Sequence, residues 1–343
     1  MGLYDVIIVG GGPAGLKCAE VLSKSNLRVL LLEKGEVFGD KLCAGGITLK
    51  DMSVLPVPEE VIELKISRAS IHSRKRRADT LAPAPFLFTL DRKELGAYQR
   101  NLLNDTNVEV LSGAQVTGIE PGKVILKDGR EYGYTYLVGA EGYASLVRRY
   151  LKLPADKKLI GFQYTLPKQD VDPVLHIFMD WKKFGSWYAW IFPHKDSMAV
   201  GCCCDPDLVD HLKFRDRFHS WLKEKEIDPG KTKLESCPIS YGYRGVKFDH
   251  IFLVGEAAGL ASGFTGEGIY QSLVSGQEVA KMILDPSHDP SLLREVIKYN
   301  KDVMKVWKIF RWSGPLKGIL HEFLVFLMNR KWIRDKINSG FSN

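Results

Sequence analysis

Three glycines in the run Tyr4-Asp-Val-Ile-Ile-Val-Gly-Gly-Gly-Pro-Ala-Gly15 have the spacing to hold a pyrophosphate. Gly10 permits a tight turn out of a strand, Gly12 lets the backbone approach the phosphates, and Gly15 allows a helix to pack closely on the strand. A helix opening at Pro13 and Ala14 would aim its N-terminal N–H groups and its dipole at that charge. The second apolar run, Val29-Leu-Leu-Leu-Glu33, ends on Glu33, placed to accept hydrogen bonds from an adenosine ribose, with Lys34 next to it. Strand, turn, helix, strand and acid in this order make a dinucleotide site; they do not by themselves separate FAD from NAD.

The elements around that site need a sizeable core, and 343 residues at 45% hydrophobic content can bury one, as a large domain or two joined domains. No uninterrupted apolar stretch is long enough to span a membrane, and the chain enters a strand at once, so a cytoplasmic protein, free or peripheral on a membrane, is expected. Cys18, Cys43, Cys202, Cys203, Cys204 and Cys237 lack the paired spacing of a zinc or iron–sulfur site; reduced thiols and no metal are expected. The net charge of +7 resides in the tail, where residues 294–343 carry eleven Lys and Arg against four Asp and Glu. The basic run Arg74-Lys-Arg-Arg77 has no interleaved aromatics and reads as a solvated loop or strand edge, with no nucleic-acid partner.

Along the chain, residues 86–90 read as a strand, Asp91 caps a helix through about 104, and residues 108–111, 114–119, 123–126 and 134–139 read as strands. From 159 to 204 the apolar positions mostly alternate, as in an antiparallel sheet. A helix is expected over 210–226, a short buried strand over 251–254, a helix over 269–284, and helices with breaks at Gly314-Pro315 and near Asn329 beyond Pro290.

Two further motifs bear on the cofactor. Leu137-Val-Gly-Ala-Glu-Gly-Tyr-Ala-Ser-Leu-Val-Arg148 resembles the Asp-Gly signature of para-hydroxybenzoate hydroxylase-type flavoproteins, and Val254-Gly-Glu-Ala-Ala-Gly259 resembles their Gly-Asp signature. The resemblance implies FAD, with Glu141, Gly255 and Glu256 at the cofactor and Glu256 on its ribitol chain; both acids are Glu where the superfamily has Asp. It also implies that Gly266, Glu267, Gly268 and Ile269 present backbone N–H groups to the flavin's N1–C2=O edge, and that Arg92, after Leu90-Asp91, contacts FAD.

Within that superfamily the chain resembles the geranylgeranyl reductase family. Lys41-Leu-Cys-Ala-Gly-Gly-Ile47 is similar to its cysteine–glycine loop, which implies that Cys43, Ala44 and Gly45 lie beside the flavin. Tyr188-Ala-Trp-Ile-Phe-Pro193 with Gly201, and Gly263-Phe-Thr-Gly-Glu-Gly-Ile269 with Phe264, are similar to two more of its signatures; Gly185 and Gly263 stand where the family usually has proline. Read without the family, Tyr188, Trp190 and Phe192 are one hydrophobic face of a strand. With it, Tyr188, Trp190, Phe192, Pro193, Gly201 and Phe264 become the wall of a site for a long apolar substrate.

The expected architecture is α/β: a Rossmann-type FAD-binding domain (1–90, 91–155 and 245–285), an inserted antiparallel-sheet substrate domain (156–244) and a helical C-terminal tail (286–343). The expected enzyme is an FAD-dependent reductase of prenyl double bonds on a lipid, quinone or tetrapyrrole, using NAD(P)H or ferredoxin as external donor. Because an isolated alkene is not electrophilic, hydride transfer to one carbon requires a proton at the other; Cys43 is the first candidate donor, followed by Tyr188 or water. The tail, with Trp307 and Trp312 among lysines and arginines, either caps the substrate cavity or lies on anionic lipid. The alternatives are a flavin monooxygenase or halogenase, a non-redox prenyl or carotenoid cyclase, and a flavin-binding protein without catalysis.

Overall fold

The computed structural model describes residues 2–154, 157–168 and 173–330, which form two compact units. The first unit comprises residues 1–41, 92–158 and 239–302; the second comprises 42–91, 159–238 and 303–343.

In the first unit a parallel sheet runs in the order Ile251–Leu253, Glu131–Gly139, Gly2–Val9, Val29–Leu32, Val108–Leu111. Val6, Ile7 and Ile8 pair with Val29, Leu30 and Leu31 and are fully or almost fully buried. Such continuous apolar runs, without alternation, suit strands covered on both faces. Lys123–Leu126 and Val116–Glu120 add an antiparallel extension to Glu131–Gly139. The helices Pro13–Leu22 and Ile269–Leu284 lie against each other, and Gly276 is the reason they can: a Cβ there would sit 2.2 Å from the carbonyl oxygen of Ala14.

The second unit holds a seven-stranded sheet in the order Glu235–Tyr241, Lys157–Pro167, Ser197–Cys204, Ala189–Pro193, Val174–Phe178, Arg68–His72, Arg77–Leu81. Only the pairing of Val174–Phe178 with Arg68–His72 is parallel among the pairs whose register is resolved. A small sheet of Gly46–Thr48, Leu87–Thr89 and Leu64–Ile66 belongs to the same unit. Helix His211–Glu224 begins where the Asp210 carboxylate accepts from Leu212 and Lys213 N–H, and it buries Phe214, Phe218, Trp221 and Leu222, spaced to share one face. Trp221 meets Phe178 and Phe184 edge-on. Cys202, Cys203 and Cys204 lie buried as free thiols in the strand Ser197–Cys204, with burial raising their pKa values.

Several sequence expectations shift. Residues 42–91, expected in the nucleotide domain, supply Arg68–His72 and Arg77–Leu81 to the large sheet and group with the second unit. Their polar, proline-broken sequence hides this short hairpin, which joins the large sheet through a partner for Arg68–His72 over 100 residues away, Val174–Phe178. The helix after Asp91 spans Arg92–Asn101, and the strand expected over 114–119 spans Val116–Glu120. The tail folds as Ser291–Trp312 and Lys317–Met328 around the expected break at Gly314-Pro315; its end, 331–343, falls outside the described residues.

Between these two helices His321 stacks on Phe310 at 5.0 Å and is 1% exposed, and burial holds its pKa down at about 4. The unfolded chain takes up this proton near the ordinary histidine pKa of about 6.5. Stability from neutral His321 is therefore complete above that value and is lost as pH falls toward 4, by up to about 3 kcal/mol. His321→Leu should remove this part of the acid sensitivity, read from urea midpoints of both proteins near neutral pH and near about pH 4.5.

Candidate active site

The glycine turn of the first unit is built as its sequence implies. Gly10 has φ +107°, and a Cβ on Gly15 would lie 2.0 Å from the Gly10 carbonyl oxygen, so helix and turn touch through backbone. A Cβ on Gly12 would meet nothing within 4 Å. The helix therefore begins at Gly12-Pro13 facing open space, with no side-chain cap on its N–H groups and no acid in its first turn. That is a cradle for an anion. Glu33 is held by Gly11 N–H at 2.5 Å and Gly35 N–H at 2.8 Å, while Lys34 is exposed. Arg92 opens its helix with a buried Nη1 that has no hydrogen-bond partner, as a residue waiting for a polar ligand would. Gln99, which no sequence motif marks, donates to the Pro13 carbonyl at 3.4 Å and leaves its own buried oxygen unpaired. Open space at Gly12, an uncapped helix start and the Arg92 donor fit an FAD pyrophosphate.

In the later motifs of this unit Glu256 follows Gly255, whose N–H donates to Ser275 Oγ at 2.8 Å. Its carboxylate forms an ion pair with Lys41 and accepts from Ser240 N–H at 3.1 Å. In the sequence Lys41 is only the start of the cysteine loop; the structure makes it the cation on the expected ribitol-binding acid. At Glu141 one oxygen accepts from Leu146 and Val147 N–H and the other from Ser145 Oγ, so the carboxylate caps the helix Leu146–Tyr150. Burial pushes its pKa up while those bonds oppose the rise. The Gly266 N–H donates to Ser262 O at 3.0 Å inside its own loop. The Glu267 carbonyl accepts from Ser262 N–H, Gly268 caps the helix that Ile269 opens, and Phe264 is half-buried in the same loop.

In the second unit the cysteine loop is clamped. Cys43 is exposed; its carbonyl accepts from Gln163 Nε2 at 3.1 Å, and its sulfur accepts from Gly45 N–H at 3.4 Å. The Ala44 carbonyl accepts from His194 Nε2 at 3.0 Å, and His194 Nδ1 bonds to Glu63. Both ring nitrogens of His194 are thus engaged. Gly45 has φ +73°, its carbonyl accepts from Leu90 N–H, and a Cβ there would strike both Leu90 O and the His194 ring. Gln163, His194 and Glu63 carry no motif of their own; their only sequence signal is His194 directly after the Phe192-Pro193 pair.

Trp190 lies over Gly201, where a Cβ would come 2.5 Å from the indole, and Trp190 Nε1 is buried without a partner. Tyr188 meets Trp190 edge-on at 6.1 Å. Phe192 packs on a core of Ile66, Ala82, Phe86 and Leu87 and also lies against Gly46 of the cysteine loop, where a Cβ would come 2.6 Å from its ring; half-buried Pro193 follows.

His194→Ala should free the loop. Loss of its two bonds from a buried position is expected to destabilise by about 2 kcal/mol in urea unfolding. Cys43 should then react several-fold faster with maleimide, as followed by peptide mass spectrometry.

Comparison with known proteins places this geometry. The family described as pyridine nucleotide-disulphide oxidoreductase matches residues 4–166. The chloroplastic geranylgeranyl diphosphate reductase of Nicotiana tabacum is 26% identical, covering 89% of this chain and 72% of its own. Digeranylgeranylglycerophospholipid reductase 2 of Methanopyrus kandleri is 27% identical, covering 87% and 81%. A geranylgeranyl bacteriochlorophyll reductase-like protein of Thermoplasma acidophilum shares the fold, with TM-score 0.81 at 20% identity over 96% of this chain and 92% of its own. An FAD-fitting cradle, the cysteine–glycine loop and the aromatic strand are thus all present in a chain that is similar, over most of its length, to proteins named geranylgeranyl reductases.

Proposed function

We propose that this enzyme saturates double bonds of geranylgeranyl chains carried on a lipid, quinone or tetrapyrrole. The observation that carries the reading is the clamped Cys43 loop, an exposed thiol on a main chain held by buried Gln163 and His194, in a chain that also has the FAD cradle. Gly10, Gly12, Gly15, Glu33, Arg92 and Glu256 would hold FAD, which when bound and reduced supplies hydride equivalents to carbon. The protein must then supply a proton, because an isolated alkene accepts hydride at one carbon only as a proton reaches the other and cationic character develops where the hydride arrives. Cys43 is exposed and can be reprotonated from solvent, and Tyr188 stands as the second donor. Trp190 and Tyr188 offer aromatic surface to an apolar chain. NAD(P)H or a ferredoxin is the external donor in this reading, and the free thiols suit a reducing, cytoplasmic setting.

The test is to reduce the purified FAD protein chemically without oxygen, add a geranylgeranyl lipid and weigh the product. Two hydrogens gained per double bond support the reductase. An isomer of unchanged mass points to a cyclase, and turnover only with oxygen consumption points to a monooxygenase; either result overturns the reading.

A further inference from the structure

No helix among the described residues is long and apolar enough to cross a membrane. The two C-terminal helices nevertheless expose large apolar side chains that a water-facing surface does not need. Ile309 is 63% exposed, Trp312 78% and Ile319 65%, with Leu316 and Phe323 also more than half exposed. The buried side of the same segment packs through other residues, since Trp307 meets Trp187 and Phe310 stacks on His321. The exposed residues are therefore surplus to the packing of this unit.

The structure also brings the basic run of residues 74–77, some 240 residues away in sequence, alongside the second of these helices. Glu322 accepts from Ser73 Oγ at 2.7 Å and from Lys75 N–H at 3.1 Å, and Asn329 Nδ2 donates to Arg77 O at 2.8 Å. The Arg76 and Arg330 guanidinium groups lie 5.0 and 4.5 Å from the Phe326 ring, which stacks on exposed Phe323. At the other end Arg311 lies 5.7 Å from the Trp312 ring, with Lys308 exposed on the preceding turn. Arg74, Arg76 and Arg77 have acidic neighbours in Asp180, Glu322 and Asp79, which leaves Lys75, Lys308, Arg311 and Arg330 as the cations of this surface. Apolar and aromatic side chains flanked at both ends by arginine and lysine match the boundary of an anionic bilayer, where acyl chains take the former and phosphates the latter.

We propose that the face formed by Ile309, Trp312, Leu316, Ile319 and Phe323, with the basic loop 74–77 beside it, seats this protein on an anionic lipid surface. The inference deepens the reductase reading, and rests on it for the lipid nature of the substrate. The seat would let a prenyl chain be taken from the bilayer without crossing water.

The test uses the full FAD-loaded chain in flotation with phosphatidylcholine vesicles, alone or with one third phosphatidylglycerol, and no prenyl substrate. Binding should be at least about tenfold tighter to the anionic vesicles and should weaken with salt. Trp312→Ser with Phe323→Ser should lower that binding about tenfold. Lys75→Glu with Lys308→Glu should erase the preference for anionic lipid. All four positions are exposed, and retained FAD and unchanged circular dichroism confirm folding of each variant. Absent binding, equal binding to both vesicles, or a wild-type dimer that Trp312→Ser with Phe323→Ser makes monomeric would overturn the proposal, the last by assigning the face to a second copy. Because no substrate is present, these outcomes are independent of whether alkene reduction is observed.

Discussion

Cys43→Ala should remain folded and yellow, yet reduce alkenes about 10²–10⁴-fold more slowly than the wild type, the range that a positioned general acid contributes. The reason to expect intact structure is local. The loop is held through main-chain groups, the Cys43 carbonyl by Gln163 and the Ala44 carbonyl by His194, and alanine keeps both bonds. Only the thiol disappears, with its weak contact from Gly45 N–H. Single-turnover oxidation of the reduced flavin by a geranylgeranyl lipid, without oxygen, isolates this step from the external donor. A solvent deuterium effect on the wild-type rate should shrink or change in the variant. If Cys43→Ala keeps the wild-type rate and Tyr188→Phe does not, the proton comes from Tyr188 and the assignment of Cys43 is wrong.

The second large effect is expected at the glycine turn, where two neighbouring substitutions should fail in opposite ways. Gly15→Ala places a methyl group 2.0 Å from the Gly10 carbonyl, so the helix Pro13–Leu22 must move. The same helix is also in close backbone approach to Ile269–Leu284, where a Cβ on Gly276 would lie 2.2 Å from the Ala14 carbonyl oxygen. Overpacking of this kind costs about 3 kcal/mol, and FAD should be lost with it. At Gly12 the backbone is already extended, with φ −78° and ψ −179°, and a Cβ meets nothing. Gly12→Val should therefore fold as well as the wild type yet lose FAD affinity, because the side chain fills the space left for phosphate. Unfolding midpoints of the apoproteins and FAD content of the purified proteins separate the two effects. Full FAD occupancy in Gly12→Val would show that the pyrophosphate lies elsewhere.

That each glycine fails in its own way follows from how local the turn is. Gly10, Gly12, Gly15 and Glu33 are legible in sequence because one strand–turn–helix–strand unit uses them all, and each residue's task depends on its own backbone or its nearest neighbours. The helix Ile269–Leu284 is equally local, its bounds following from apolar periodicity and a glycine before it. Glu141 has the motif of a cofactor acid, but its place is set by three donors within six residues that form a helix start only in the folded chain. Phe192 and Trp190 share one strand face in sequence; packing gives the first to a core cluster and the second to the space above Gly201.

Sequence alone therefore determined the nucleotide-binding turn and the resemblance to geranylgeranyl reductases, since these rest on contiguous motifs, and it singled out Cys43. Tertiary structure decided what holds that residue and where the surface charge gathers. Gln163 reaches Cys43 across 120 residues, Glu63 reaches His194 across 131, and Glu322 reaches Ser73 across 249. None of these pairings has a local signature, because each arises from strands and helices whose neighbours are chosen by burial of the whole unit rather than by the residues beside them in the chain.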